Sequence, residues 1–174
     1  MVLDPKELPV YAVLNELAIS YERFEHDAAM TMADCSVFDA GKQAAHCKNL
    51  FLTNRQGTRF YLMLVVGDKP FQTSRISHQL GVSRLSFGTA EQLMETLGVT
   101  PGAVTPMGLI QDTQHQVHVL LDRDIAGWGE IIVHPNVNTA SIVLKTADLL
   151  RLIAHFKNPV TYVEVGAGNT DEDV

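Results

Sequence analysis

A chain of 174 residues, 46% of them apolar, is long enough to bury one sizeable core and suits a single domain better than two. Its formal net charge of −7 argues against broad, phosphate-driven binding to DNA or RNA, so a nucleic-acid partner would have to be gripped locally. No apolar run approaches the ~18 residues of a membrane span, and the opening MVLDPKELPVY lacks the features of a secretory signal, which predicts a cytoplasmic protein with no membrane partner.

In chain order, DPKELPVYAVLNELAI offers Asp4 as a cap, Pro5 at the first helical position and Glu7 to close a capping box, predicting a helix over 4–19. SYERFEH alternates as a short strand does, and TMADCSVFDAG reads as a short helix ending at Gly41. KNLFLTNRQGTRFYLMLVV is two β-rich runs around Asn54–Gly57, a hairpin whose nearly all-apolar strands belong in the centre of a sheet. Two capped helices follow, TSRISHQLG from Thr73 and TAEQLMETLG with Thr89 and Gln92 as a capping box and Gly98 as its stop; RLSFG between them is a short strand. After the loop VTPGAVTPMG, strands are expected at GLIQ, VHVLLD, EIIVH and ASIVLK, then a helix capped by Thr146 and a last strand VTYVEV. The expected architecture is one mixed α+β domain over 1–166. The Gly-rich, acidic end 167–174, with Asp171, Glu172 and Asp173, reads as a disordered tail.

The common nucleophile and nucleotide motifs are absent: there is no G-x-S-x-G elbow, no P-loop, no G-x-G-x-x-G and no H-E-x-x-H. Cys35 and Cys47 are too few for a disulfide framework and lack CxxC spacing. His115 and His118, three apart beside a strand, fall on opposite faces and make a poor metal pair, so neither metal nor cofactor is expected. Lys48 follows Cys47 directly, and a neighbouring cation lowers a thiol's pKa. Strand alternation, however, sends Lys48 with Leu50 and Leu52 and turns Cys47 away, which favours an inert thiol. A lysine directly against the apolar run Leu50-Phe51-Leu52 is unusual, and by composition alone a snorkelling lysine and a functional one are about equally plausible.

The stretch His46-Cys47-Lys48-Asn49-Leu50-Phe51-Leu52 resembles the His-x-Lys-Asn-Leu-Phe-Leu segment of the YbaK/ProX family of aminoacyl-tRNA editing domains, also described as the prolyl-tRNA synthetase associated domain. Residues 84–112 are similar to the family's segment with a Gly-x-x-x-Pro loop, here Gly102 to Pro106, and HPNVNTAS over 134–141 resembles its His-Pro-x-x-Asn segment. The resemblance covers roughly residues 20–165, with the three motifs in the family's order.

The resemblance implies a mixed β-sheet curled into a partial barrel with helices packed around it. It also implies an aminoacyl-tRNA deacylase, a hydrolase acting on the ester between amino acid and tRNA. Lys48-Asn49 looks like the freestanding branch that removes alanine from mischarged alanyl-tRNA(Pro), with cysteinyl-tRNA(Pro) as the alternative substrate, Cys47 standing where threonine is usual. A non-catalytic module that binds tRNA or a synthetase is the competing reading. The family roles carry over as Lys48 and Asn49 for catalysis and His46, Gly102, Ala103, Pro106 and His134 for substrate binding. The implied partners are the acceptor end of tRNA(Pro) and prolyl-tRNA synthetase. Hydrolysis of an already activated ester needs a positioned water and oxyanion stabilisation more than a covalent nucleophile, which fits the missing motifs. Without the resemblance, Gly102 to Pro106 reads as an ordinary turn and His134 as a structural hydrogen-bonder. Phosphate contacts are expected among Lys42, Lys69, Arg75 and Arg84.

Overall fold

The hairpin in the middle of the sequence is also the middle of the sheet. The computed structural model describes residues 2–28, 44–67 and 69–166. Within them lie the strands β1 (Tyr21–Glu25), β2 (Ala44–Thr53), β3 (Phe60–Val66), β4 (Ser86–Phe87), β5 (Val117–Asp122), β6 (Glu130–Val133), β7 (Ala140–Lys145) and β8 (Val160–Val163). The helices are α1 (Leu8–Glu16), α2 (Thr73–Leu80), α3 (Ala90–Leu97) and α4 (Thr146–Phe156). The strands form one mixed sheet in the order β1-β7-β6-β2-β3-β5-β8, with β4 added to β2. Its two ends do not meet, giving the α+β partial barrel that the sequence implied. β2 pairs antiparallel with β3 and parallel with β6, and β3, β5 and β8 run parallel in sequence across the sheet.

One face of the sheet carries the main core. Phe51, Leu62, Leu64, Val119, Leu121, Ile131, Val133, Ile142 and Leu144 meet Val10 and Leu14 of α1, Leu93 and Leu97 of α3, and Leu149, Leu152 and Ile153 of α4. Each such side chain contributes about 1.5–3 kcal/mol through removal of apolar surface from water. The other face is divided. Over β3 and β5, Leu50, Leu52, Tyr61, Met63, Val65 and Leu120 are covered by Ile76 of α2. Over β6 and β7, a smaller cluster of Ala44, Ile132 and Val143 is joined by Phe24 of β1.

Helix α1 starts at Leu8 rather than Asp4. Pro9 explains the shift: it lacks an N–H and is tolerated only in a first turn, where it stands here, whereas a helix begun at Pro5 would place it in the interior. The Asp4 and Glu7 partnership survives as a turn, in which the Asp4 amide donates to Glu7 Oε2 at 3.1 Å. The expected strand GLIQ is instead part of a 3-10 helix, Pro106–Ile110, whose Met107 amide donates to Thr105 Oγ1 at 3.2 Å. A short run of buried apolar residues has no periodicity that separates these outcomes. Thr73 and Thr146 are first helical residues rather than caps, whereas the Thr89 and Gln92 capping box forms as expected. The expected helix TMADCSVFDAG and the acidic tail lie outside the described residues.

A buried ion pair fixes β1 to α1. Glu7, 2% exposed, accepts Arg23 Nε at 2.9 Å and the Tyr11 hydroxyl at 2.7 Å on Oε1, and Arg23 Nη2 at 3.1 Å on Oε2. Burial alone would raise the carboxyl pKa, but the Arg23 and Tyr11 hydrogen bonds together hold it below the ordinary value. Removing one partner of such a pair leaves a buried charge uncompensated. Arg23→Met is therefore expected to cost about 3 kcal/mol in denaturant unfolding, and Glu7→Gln added to it should return part of that loss. A double variant no more stable than Arg23→Met would show that the charge of Glu7 is not what the arginine neutralises.

Candidate active site

The edge of β2 that faces away from β3 is shared by two short partners. At its start, Ala44, Ala45 and His46 pair with Glu130, Ile131 and Ile132 of β6; at its end, Leu52 and Thr53 pair with Phe87 and Ser86 of β4, and the Gly88 amide donates to Phe51 O at 3.0 Å. Between them, among the described residues, no strand pairs with this edge from Cys47 to Leu50. The stretch singled out in the sequence occupies this gap.

Alternation along β2 separates its residues. Lys48 shares a face with His46, Leu50 and Leu52, and its side chain is exposed; it lies in mid-strand rather than at a strand start. Cys47 and Asn49 share the other face. Cys47 packs against the main core, and Asn49 turns back on it: Asn49 Nδ2 donates to Cys47 O at 3.2 Å, and the thiol donates to Asn49 Oδ1 at 3.7 Å. Burial first, and the Asp122 carboxylate second, push the Cys47 thiol far above its ordinary pKa, so the reactive thiolate is suppressed.

His134 follows directly on β6. Pairing of His46 with Ile132 puts those two side chains on one face; the paired register ends there, and Lys48 and His134 each follow two residues further along their segments. His134 Nδ1 is 3.0 Å from Ala140 O, so this nitrogen is the donor and Nε2 keeps an open lone pair. Burial, and to a lesser degree the nearby His26, hold its pKa below the ordinary 6.5 although the Ala140 bond opposes them. The His26 and His134 rings lie 6.2 Å apart between centroids, and His26 Nε2 is 2.8 Å from Ser141 Oγ. His26 escaped sequence reasoning; its position at the end of an alternating strand, in phase with Phe24, was the signal available. An open depression of about 560 Å³, lined by Glu7, Arg23 and Asp27 among others, borders the site at His26.

The segment Gly102 to Pro106 meets this site from the rim. Thr105 Oγ1 donates to His134 O at 2.6 Å, and a Cβ at Gly102 would stand 3.2 Å from Asn138 Nδ2. Ala103 is buried in the main core and Pro106 is buried too, so the surface left for a ligand is the exposed backbone at Gly102. Asn136 in the adjoining loop holds a left-handed φ of 67° and is 6% exposed, with Oδ1 lacking a hydrogen-bond partner among the described residues. Strand alternation thus puts Lys48 and His46 on one face of β2 and Asn49 on the other, while His134 follows the strand that pairs with His46 and Thr105, in the Gly102 to Pro106 segment, bonds the His134 carbonyl. Of the cations expected to meet phosphate, Lys69 is committed elsewhere, 2.8 Å from both Asp122 carboxylate oxygens and 2.5 Å from Asp124 Oδ2. Arg75 and Arg84 are exposed, and Lys42 lies outside the described residues. His118 is also occupied, bonded to Thr161 Oγ1 at 2.7 Å and stacked on Tyr61.

The family model for the aminoacyl-tRNA editing domain matches residues 26–152. The prolyl-tRNA editing protein ProX of Acetoanaerobium sticklandii is 32% identical over 165 residues, covering 95% of this chain and all of that protein. Prolyl-tRNA synthetase associated domain-containing protein 1 of Danio rerio is 33% identical, covering 85% of this chain and 80% of its own. A solved structure described as that of a candidate trans-editing enzyme for prolyl tRNA synthetase superposes with a TM-score of 0.74 over 95% of this chain and all of its own, at 22% identity. The chain belongs to the aminoacyl-tRNA editing domain family. It is a hydrolase of the aminoacyl-tRNA deacylase class.

The buried, neutral state of His134 has a consequence for stability. A histidine whose pKa is lower folded than unfolded takes up its proton more readily in the unfolded chain, so its contribution is intact above pH ~6.5 and is lost as pH falls below that value. His118, also lowered by burial, acts in the same direction. The melting temperature is therefore expected to drop between pH 7 and pH 5, and His134→Asn, which keeps a donor for Ala140 O, should flatten that drop. An unchanged pH slope in the variant would show that His134 titrates alike in both states.

Proposed function

We propose that the protein is a trans-editing enzyme that hydrolyses the ester of mischarged alanyl-tRNA(Pro) in the cytoplasm and spares prolyl-tRNA(Pro). The observation that carries this reading is the parallel pairing of His46 with Ile132, two residues before Lys48 on β2 and two before His134 after β6, beside the interrupted edge of β2. Lys48-Asn49 supports alanine as the amino acid removed, and the suppressed thiol of Cys47 supports water as the attacking group.

In this mechanism the Lys48 ammonium faces the ester carbonyl, where it stabilises the negative charge that grows on oxygen as water adds to the acyl carbon. The bond to the ribose oxygen then breaks, the hydroxyl stays with alanine and the proton goes to the ribose. His134, with Nδ1–H committed to Ala140 O, offers Nε2 as an acceptor to the α-ammonium of alanine or to the attacking water. Asn49 acts from the opposite face of the strand, and its bonds to Cys47 hold the backbone of the gap in place rather than reach the ester. His46 flanks Lys48, and the backbone at Gly102 forms the wall against which the amino acid lies. A methyl group enters where the proline ring is excluded by size. The acceptor end is gripped locally, consistent with a net charge of −7, and prolyl-tRNA synthetase is the partner that supplies the mischarged tRNA.

A deacylation panel of alanyl-, cysteinyl-, seryl- and prolyl-tRNA(Pro) is expected to show alanine released fastest and proline retained. Faster release of cysteine would reassign the substrate, and no turnover above buffer would favour a binding module. In single-turnover measurements Lys48→Ala should lose at least ~100-fold, the scale of about 3 kcal/mol for an electrostatic donor aimed at developing charge, whereas Cys47→Ser should change little. The opposite ranking would mean thiol catalysis. Gly102→Leu should abolish turnover with the fold intact by circular dichroism, since the position is exposed and its φ is not left-handed. Unchanged turnover would reduce that segment to a turn.

A further inference from the structure

Phe87 is 60% exposed, yet its two-residue strand is paired to the central strand β2. It pairs with Leu52 in the register of β4 on β2, so its ring lies on the same face as Leu52, Leu50 and Lys48. The next residue, Gly88, donates to Phe51 O at 3.0 Å and approaches β2 so closely that a Cβ there would stand 2.4 Å from the Phe51 ring. That ring is in turn stacked on Phe60, 5.7 Å away and 10° from parallel. Phe71, half-buried against the α2-covered cluster, supports Phe87 at 6.2 Å and a tilt of 60°. The result is a rigid aromatic ring with one side packed and the other in water. A single exposed ring is ordinary on a protein surface; what distinguishes this one is its place, on a two-residue strand paired to β2 beside the interrupted edge and in contact with Phe71.

We infer that Phe87 is a stacking platform for a nucleobase of the unpaired 3′ end of the tRNA, an inference that rests on the deacylase reading of Lys48. From Lys48 to Leu52 the strand advances about 13 Å, which exceeds one nucleotide, so the base that meets Phe87 lies upstream of the esterified adenosine. A single strand leaving the ester at Lys48 would follow the interrupted edge of β2, outside the α2-covered Leu50 and Leu52, to the ring on β4. Every base has a π-face, so stacking holds the strand without reading its sequence; exposed Arg84, three residues before Phe87, supplies a cation on the same short segment. This also answers how an acidic protein grips RNA: one ring replaces several phosphate contacts.

The test is single-turnover deacylation at varied enzyme concentration, with alanyl-tRNA(Pro) and with 2′(3′)-O-alanyl-adenosine, which has no upstream base. Phe87→Ala is expected to raise the half-saturating concentration for alanyl-tRNA(Pro) by roughly tenfold or more, the scale of one lost base stack, while leaving the saturated rate and the alanyl-adenosine rate unchanged. Phe87→Trp should retain wild-type affinity, and Phe87→Leu should behave as Phe87→Ala if stacking rather than apolar contact is at work. The inference is overturned if Phe87→Ala saturates within twofold of wild type, or if alanyl-adenosine slows as much as the tRNA. Fluorescence anisotropy with uncharged tRNA(Pro) reads the platform independently of chemistry. Weaker binding by Phe87→Ala supports it even where wild type hydrolyses neither ester, the outcome that sinks the deacylase reading, and equal binding overturns it.

Discussion

The backbone of β2 must find partners on both edges, and the way it does so determines where the site can be. A central strand surrounded by apolar side chains cannot leave its amides and carbonyls unpaired without a cost comparable to a lost hydrogen bond for each. β3 satisfies one edge completely from Cys47 to Thr53. The other edge is satisfied at its ends by two strands that arrive from different parts of the chain, β6 and β4, and neither reaches the middle. A closed barrel would have removed this interruption and with it the place where a polar ligand can approach the centre of the sheet. The proposed site therefore occupies a stretch of β2 that, among the described residues, no neighbouring strand completes.

Around that stretch, the two faces have different tasks. The main core lies wholly on one side, where α1, α3 and α4 cover it, and there Cys47 and Asn49 are tied to each other. The opposite side is split between the α2-covered cluster and the small cluster of Ala44, Ile132 and Val143, and Lys48 stands between the two. A cation at the boundary of two apolar patches keeps its charge in water at little cost while lying beside surface of low polarisability. His134 is fixed in a complementary way, by a backbone carbonyl on one nitrogen and by Thr105 on its own carbonyl, so its open nitrogen has a defined direction.

Much of this was legible in the sequence. The hairpin, the Thr89 capping box and the sense of alternation that parts Lys48 from Cys47 depend on local rules, and they hold. The same alternation parts Lys48 from Asn49, although adjacency in a motif suggests one constellation; the period-two rule already contained that separation. What could not be read was long-range. The parallel pairing of His46 with Ile132, which leads toward Lys48 on one strand and His134 beyond the other, joins segments more than 80 residues apart, and no local pattern specifies that register. Lys69 looked like a free cation because its partners Asp122 and Asp124 lie in another strand and the turn after it. Helix α1 and the 3-10 turn at Pro106 were misplaced for local reasons that prolines set, Pro9 by its tolerance only in a first turn and Pro106 by opening a turn inside an apolar run.

The pairing of β1 with β7, Tyr21 opposite Leu144, joins segments more than 110 residues apart. On a ribosome that releases the N-terminus first, β1 has no partner until β7 has emerged, which takes several seconds at bacterial or eukaryotic elongation rates of ~5–20 residues per second. During that interval the strand and the helix it is salt-bridged to must wait as an unfinished hairpin-less arm, exposing Tyr21 and Phe24. Because His26 is carried at the end of this strand, its neighbourhood with His134 is among the last contacts to form. A chain cut short before residue 140 would thus hold Lys48 on its hairpin but lack the strand against which β1 and His26 are placed.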